Sequence, residues 1–244
     1  MTNMKFDAVF FDSGGTLIGS PYPSSDDPTM AEVDARRAER VSAFLDALGK
    51  KVKLEEVRTQ LFKCEEQARK EYGKAYTFVQ TIRFFYRTQS WQEKMEEILC
   101  VTEVYAGPRY SSWLFPGVVQ TLQELHRCNL VLGIIANTDW PGWIFDRVWK
   151  GYGLLDLFSV RLYSGEEGVG KPDKEIFQRA AKRAGVQGRR ILFVGDTLEV
   201  DIKGAKAVGW CTAWRRSSTN PDSKGLPDFE FDDIRQLISY VKEK

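Results

Sequence analysis

Histidine is nearly missing from this chain, with His126 the one imidazole among 244 residues. It falls late in an amphipathic stretch, where a cation suits the C-terminal end of a helix dipole, and that helix-end role is assigned to it rather than acid/base work. Cysteine is equally sparse. Cys64, Cys100, Cys128 and Cys211 are widely spaced and form no CxxC pair, which argues against a structural zinc site and fits reduced cytosolic thiols acting as small buried apolar groups. Long hydrophobic runs are missing too. The start Met1-Thr2-Asn3-Met4-Lys5-Phe6-Asp7 lacks the apolar region of a signal peptide, and no run is long enough to span a bilayer. Nor is there a charge imbalance: 35 basic and 34 acidic residues leave a net charge of +1. No global field draws the chain to nucleic acid or an anionic membrane, and no basic stripe or internal repeat marks a nucleic-acid or scaffold module. A soluble, cytoplasmic protein acting on a small molecule is expected, while oligomeric state stays open.

What the chain does have is a pair of apolar runs that end in carboxylates. Ala8-Val9-Phe10-Phe11 closes on Asp12 and opens the turn Asp12-Ser13-Gly14-Gly15-Thr16-Leu17. Far downstream, Ile191-Leu192-Phe193-Val194 runs into Gly195-Asp196-Thr197-Leu198-Glu199-Val200-Asp201. Short apolar runs ending in turns read as buried strands, and in open α/β sheets ligands bind outside the carboxyl ends of such strands. Between the two lies Gly168-Val169-Gly170-Lys171-Pro172-Asp173. Two acidic strand ends and an ordered lysine suit a divalent cation and a phosphoryl group, because a hard cation takes carboxylate oxygens and the ammonium offsets anionic charge.

Other segments give the surroundings. Leu130 to Ala136, Phe158 to Leu162 and Cys211 to Trp214 read as further strands alternating with helices, the pattern of a parallel sheet with covering helices. Val118, Leu122 and Leu125 mark a helix between Gly117 and Arg127, and Ile234, Leu237, Ile238 and Val241 mark a final one. Between Gly19 and Phe115 the strand signal gives way to helical periodicity, after the linker-like stretch Ser20 to Pro28. Stripes at Val41, Phe44, Leu45 and Leu48, at Leu54, Val57, Leu61 and Cys64, and at Phe78, Val79, Ile82, Phe85 and Tyr86 predict three helices. A fourth is predicted from Trp91 to about Tyr105. The expected organisation is an α/β, Rossmann-like three-layer core at 1–19 and 114–244 with an all-helical domain inserted at 20–113. Within the insertion, Arg83 and Arg87 flank an aromatic cluster and read as solvated helix-face residues. Trp140, Trp143 and Trp149, three of the seven tryptophans, read as core packing residues.

At DSGGT, GVGKP and GDTLEVD, in that order, the chain resembles the haloacid dehalogenase-like superfamily, whose motifs are usually written DxDGT, GxGKP and GDxxxxD. The insertion point resembles that of the superfamily's helical cap. The resemblance implies a phosphatase-type hydrolase for a small phosphorylated metabolite. Asp12 would attack phosphorus to form an aspartyl-phosphate, and Lys171 would neutralise nucleophile and phosphoryl charge. Mg2+ would be held by Asp12, by the main-chain carbonyl of Gly14 and by Asp196, with Ser13, Asn137, Thr138 and Asp201 binding phosphate or supporting the site.

Two positions depart from that pattern. Gly14 stands where the superfamily's phosphatases carry a second aspartate as general acid/base. Positioned acid/base catalysis is typically worth about 10²–10⁴-fold, so ester hydrolysis is expected to be slow unless another group supplies the proton. Ala136 ends the second core strand where a serine or threonine is usual. Asn137 and Thr138 can substitute as phosphate donors, or else Thr138 or Asp139 caps the next helix with Pro141 in its first turn. The intact GDTLEVD argues against carbon–halogen cleavage. A catalytically weakened binding protein is the rival reading. A phosphonatase-like hydrolase is another, for which Lys50, Lys51, Lys53, Lys63 and Lys74 are the candidate imine-forming lysines.

Overall fold

The computed structural model describes residues 4–19, 29–107, 114–216, 223 and 225–242. The expected limits of the inserted domain, near 20 and 113, lie outside them, as does the stretch Ser20 to Pro28.

Six strands form one parallel sheet: β1 (Ala8–Phe11), β2 (Val131–Ala136), β3 (Phe158–Tyr163), β4 (Ile191–Gly195), β5 (Cys211–Arg215) and β6 (Phe229–Phe231). Their order is β3-β2-β1-β4-β5-β6. Chain order reverses at β1 and β4, the switch point at which open α/β sheets bind ligands. Side chains alternate across the sheet with period two, and the burial divides accordingly. Val9, Phe11, Leu132, Ile134, Leu192 and Val194 face one layer, with α5 (Val118–Arg127), α6 (Gly142–Gly151) and α10 (Gln236–Lys242). Ala8, Phe10, Ile135, Ile191 and Phe193 face the other, with α8 (Lys174–Ala184) and the short α9 (Lys203–Lys206), while the one-turn α7 (Ser164–Glu167) directly follows β3. In this second layer Phe177 meets Phe193 and Trp210 edge-on, with ring centroids 5.3 and 5.4 Å away.

The insertion holds α1 (Met30–Ala47), α2 (Leu54–Tyr72), α3 (Phe78–Thr88) and α4 (Met95–Ala106), which pack on one another as a helical cap. Thr29 opens α1 with a capping box: its backbone N donates to Glu32, and the Glu32 N donates back to Thr29 Oγ1. The segments entering and leaving the cap lie side by side, with an antiparallel bridge between Ile18 and Leu114 and a 3.0 Å bond from Phe115 N to Leu17 O.

The helical stripes are narrower than the periodicity suggests. Val41, Leu45, Val57, Leu61 and Cys64 are buried, but Leu48 and Leu54 are exposed because each sits at a helix end beyond the packed turns. Trp91 does not open α4. Its N donates to Tyr86 O and its ring packs edge-on against Phe85 and Tyr86, so it closes α3, with Ser90 in the left-handed region at φ 54°. At the C-terminus Ile234 is buried ahead of α10 rather than within it. The three-residue strand β6 has no counterpart in the sequence reading. Trp140 and Trp149 are buried, whereas Trp143 is partly exposed. The described residues include no helix long and apolar enough to cross a membrane.

Phe177 is fully buried between strand and helix. Truncating it removes a ring from a layer with no room to collapse, so Phe177→Ala should cost about 3–5 kcal/mol in urea unfolding. A loss below about 1 kcal/mol would contradict this packing.

Candidate active site

β1 and β4 run side by side, with Phe11 opposite Val194, so Asp12 and Asp196 leave the same edge of the sheet. The Asp12 N still donates to Val194 O at 2.9 Å, holding its carboxylate at the strand end. The chain then turns tightly, as Leu17 N and Ile18 N both donate to Ser13 O. Gly15 is required in that turn. Its φ is +79°, and a Cβ there would lie 2.3 Å from Asp196 Oδ2. At Gly195 a Cβ would lie 2.4 Å from that of Asp201. These two glycines let the Asp12, Asp196 and Asp201 carboxylates converge, with one oxygen from each within 4.8 Å of the others.

Lys171 completes the group. Its Nζ donates to Asp12 Oδ1 at 2.5 Å and to Asp201 Oδ1 at 2.7 Å. All three are buried, at 4 % exposure for Lys171, 8 % for Asp12 and 1 % for Asp201. The other Asp201 oxygen accepts from the backbone N of Asp196 (3.2 Å) and Thr197 (3.0 Å). Both its oxygens are thus engaged within the protein. Burial pushes the Asp12 carboxyl up to about 7 against the pull of Lys171. Burial also raises Asp196, helped by the neighbouring Asp201 charge. For Lys171 burial works against the ammonium, but Asp12 and Asp201 outweigh it and hold its pKa above the ordinary lysine value.

These side chains floor a cleft of about 600 Å³ between sheet edge and cap. Asp12, Ser13, Gly14, Asn137, Thr138, Lys171, Asp196 and Asp201 all line it. Asn137 is engaged differently from a free phosphate donor: its Nδ2 donates to Lys171 O at 2.8 Å, and its Oδ1 accepts from Lys171 N at 2.9 Å. It clamps the lysine's backbone. Thr138 Oγ1 accepts from Trp140 N, while its own N donates to Ser164 Oγ. Neither Thr138 nor Asp139 caps α6. That helix begins at Gly142 after Pro141, because Gly142 N finds Glu166 Oε1 at 2.7 Å. Ala136 ends β2 fully buried and brings no hydroxyl.

The cap wall of the cleft was not legible as a site. It holds Asp34, Arg37, Glu65, Arg69 and Phe78. Arg69 bridges cap to core, its Nη2 reaching Glu65 at 2.6 Å and Asp139 at 2.7 Å. The i,i+3 pairing of Asp34 with Arg37 and the i,i+4 pairing of Glu65 with Arg69 are their sequence signals. Phe78 N donates to Asp139 O at 2.9 Å. Arg83 and Arg87 both pair with Glu93 and stand outside the cleft. None of the five candidate cap lysines lines it among the described residues. His126 is exposed in the last turn of α5.

Three carboxylates converge on one ammonium, so the group carries an excess of two negative charges when all three are ionised. Hard carboxylate oxygens in that number fit a divalent cation. Residues 6–209 match the model of the haloacid dehalogenase-like hydrolases. The chain belongs to this family. It is 29% identical to a glyceraldehyde 3-phosphate phosphatase of Methanopyrus kandleri over 97% of either chain. It is 33% identical to a phosphoserine phosphatase of Thermus thermophilus, over 57% of this chain and 55% of that one. Among solved structures, a 2-haloacid dehalogenase from Pseudomonas syringae superposes with a TM-score of 0.69 at 24% identity, covering 96% of this chain and 97% of the other. A haloacid dehalogenase-like phosphatase from Thermococcus onnurineus gives 0.62 at 24% identity, covering 97% and 98%. These two likenesses concern the fold.

In this family member, removing the ammonium strands two buried carboxylates. Lys171→Met should destabilise the metal-free protein by about 3 kcal/mol at pH 8. Without the lysine, the Asp12 carboxyl, already raised by burial, loses the charge that pulls it down and is pushed further up, so this penalty is present at high pH and shrinks as Asp12 takes up a proton. Urea unfolding at pH 8 and pH 5.5 checks the sign, and a penalty that grows on acidification would refute it.

Proposed function

We propose that the chain is a magnesium-dependent phosphatase for a small phosphorylated metabolite, with residues 20–113 as its cap and 1–19 with 114–244 as its core. The observation that carries this reading is the buried convergence of Asp12, Asp196 and Asp201 on Lys171 at the floor of a capped cleft. Asp12, the Gly14 carbonyl and Asp196 are the proposed holders of Mg2+. When bound, the ion supplies charge stabilisation to the phosphoryl oxygens. The Asp12 carboxylate attacks phosphorus, the ester P–O bond breaks, and an aspartyl-phosphate forms. Water then hydrolyses the acyl-phosphate and returns Asp12. Lys171 lies against Asp12 throughout and offsets the charge gathered there. Asp201 and Asn137 hold Lys171 in place. The phosphatase names of the relatives support this chemistry, and their substrates, glyceraldehyde 3-phosphate and phosphoserine, set its scale.

Gly14 favours a second reading, a binding protein with weakened turnover, because no side chain there can protonate the leaving oxygen. The position has room: a Cβ on Gly14 meets nothing within 4 Å, and its φ is not positive. The phosphonatase reading has less support, since no cap lysine lines the cleft among the described residues.

Magnesium-dependent phosphate release from a panel of small esters, with Asp12→Asn as the blank, tests the proposal. Turnover should vanish in that variant, and activity persisting there would remove Asp12 as nucleophile. Gly14→Asp should raise kcat on unactivated esters by about 100-fold or more; no gain would mean that the missing carboxylate is not what limits the rate. The raised Asp12 pKa adds a third expectation. Below pH 7 the cation must displace a proton, so Mg2+ affinity measured by calorimetry should fall about tenfold from pH 8 to pH 6. Equal affinity at the two pH values would exclude Asp12 as a ligand.

A further inference from the structure

β5 ends in two side chains that reach the two acidic loops of the site. Trp214 Nε1 donates to the Asp196 carbonyl at 2.8 Å, and Arg215 Nη1 donates to the Gly15 carbonyl at 2.8 Å. Neither residue lines the cleft among the described residues, so both act on the loops from behind.

Arg215 holds the stretch that is least able to hold itself. Gly14 and Gly15 carry no side chains, and adjacent glycines reach so many backbone conformations that bonds from elsewhere must select one. Gly15 N donates to Ile18 O at 2.8 Å, which fixes the peptide plane that carries the Gly14 carbonyl. The next plane, carrying the Gly15 carbonyl, is fixed by Arg215. Between these two planes Gly15 sits at φ +79°. The guanidinium is itself held. Its Cζ lies 3.7 Å from the centre of the Phe115 ring, and Phe115 is buried where the chain returns from the cap, with its N donating to Leu17 O at 3.0 Å. One arginine therefore ties the end of β5 to the turn after β1 and to the connector that leaves the cap.

We propose that Arg215 is a positioning residue for the metal site: by fixing the Gly15 carbonyl it sets the direction of the Gly14 carbonyl one residue before it. This rests on the reading of Asp12, Gly14 and Asp196 as the holders of Mg2+. Groups that orient metal ligands from behind are typically worth about 10- to 100-fold in metal affinity. Charge and position predict opposite signs here. The Arg215 charge is close enough to be felt at Asp196, and a cation beside a metal site repels Mg2+, so removing the charge alone would tighten binding. Removing the bond to Gly15 frees the glycine pair and weakens it.

Calorimetry with Mg2+ alone at pH 8 compares the wild-type protein with Arg215→Met and Arg215→Lys. Methionine keeps an apolar stem against Phe115 and loses the donor, whereas lysine keeps both a donor and the charge. Affinity should fall about tenfold or more in Arg215→Met and return to within about threefold of wild type in Arg215→Lys. Equal or tighter binding in Arg215→Met would overturn the assignment, and so would an equal fall in both variants, since either leaves the bond to Gly15 without effect. The Mg2+ site itself would stand in both cases. Urea unfolding of the metal-free proteins separates a merely structural role, which lowers the midpoint and leaves the affinity of the folded protein unchanged. Should Arg215→Met not fold, Arg215→Gln, too short to reach the Gly15 carbonyl, takes its place under the same expectations. If the wild-type protein binds no Mg2+, the metal reading falls and the hold on the turn is tested alone. Amide exchange at residues 13–18 should then be about fivefold faster in Arg215→Met and near wild type in Arg215→Lys. Equal exchange in all three proteins would overturn the role of Arg215.

Discussion

The contact between the Lys171 ammonium and the Asp12 and Asp201 carboxylates is the constraint around which the rest of this site is arranged. Each of these charges is withdrawn from water at a cost that its partners offset only when the geometry is close. The fold supplies that geometry from separate places. β1 and β4 deliver the carboxylates at one sheet edge, Gly15 and Gly195 remove the atoms that would keep them apart, and Asn137 holds the lysine's backbone on both its donor and its acceptor. Asp201 also accepts from two backbone N–H groups, which ties the loop after β4 to the same lysine. An apolar replacement of comparable shape would commonly be as stable as such a buried ion group. The cluster is therefore poorly explained as a stabilising device and well explained as a binding one.

The cap enters this arrangement through a few contacts. Arg69 reaches Asp139 just beyond β2, Phe78 N donates to the Asp139 carbonyl, and a Cβ on Gly165 would lie 2.5 Å from Thr77 Cγ2. All three lie beside the cleft, while the paired connectors at Ile18 and Leu114 join cap to core at its base. Contacts of this kind hold the cap against the core at the edge of the charged floor.

Much of the floor was legible in the sequence, because strand ends and the loops that follow them are local features. An apolar run closing on Asp12 and another closing on Asp196 can be read without knowing the fold, and the parallel sheet at residues 8–11, 131–136, 158–163, 191–195 and 211–215 follows from the same alternation. Elements set by distant partners were not legible. β6 is three residues long and exists because β5 offers it an edge. Trp91 lies in an apolar context that suits a helix start, yet aromatic packing makes it the end of the preceding one. α6 begins three residues later than Asp139 because Glu166, far along the chain, satisfies its first donor. Asn137 stands out in the sequence as a candidate, but its bonds to Lys171 depend on a loop 34 residues away. The cap wall was the least legible part, since helical periodicity identifies the packed stripe and says little about which of the remaining polar residues turn toward the core.

Gly14 gives the proposed chemistry its direction. In the proposed reaction Asp12 and Lys171 meet the phosphoryl group while Gly14 brings no acid, so the missing assistance falls on the leaving oxygen. The slow step then depends on how well that oxygen bears negative charge, as Brønsted behaviour requires when no proton is delivered. Esters of weakly acidic alcohols are penalised most, and substrates whose leaving group is itself acidic, or carries its own proton donor into the cleft, are penalised least. The open space beside Gly14 adjoins the cleft where such a group would sit. Within the proposed reaction, the same substitution that removes general acid catalysis therefore shifts selectivity from the protein's own proton toward the chemistry of the leaving group, and makes the cap the part that must recognise it.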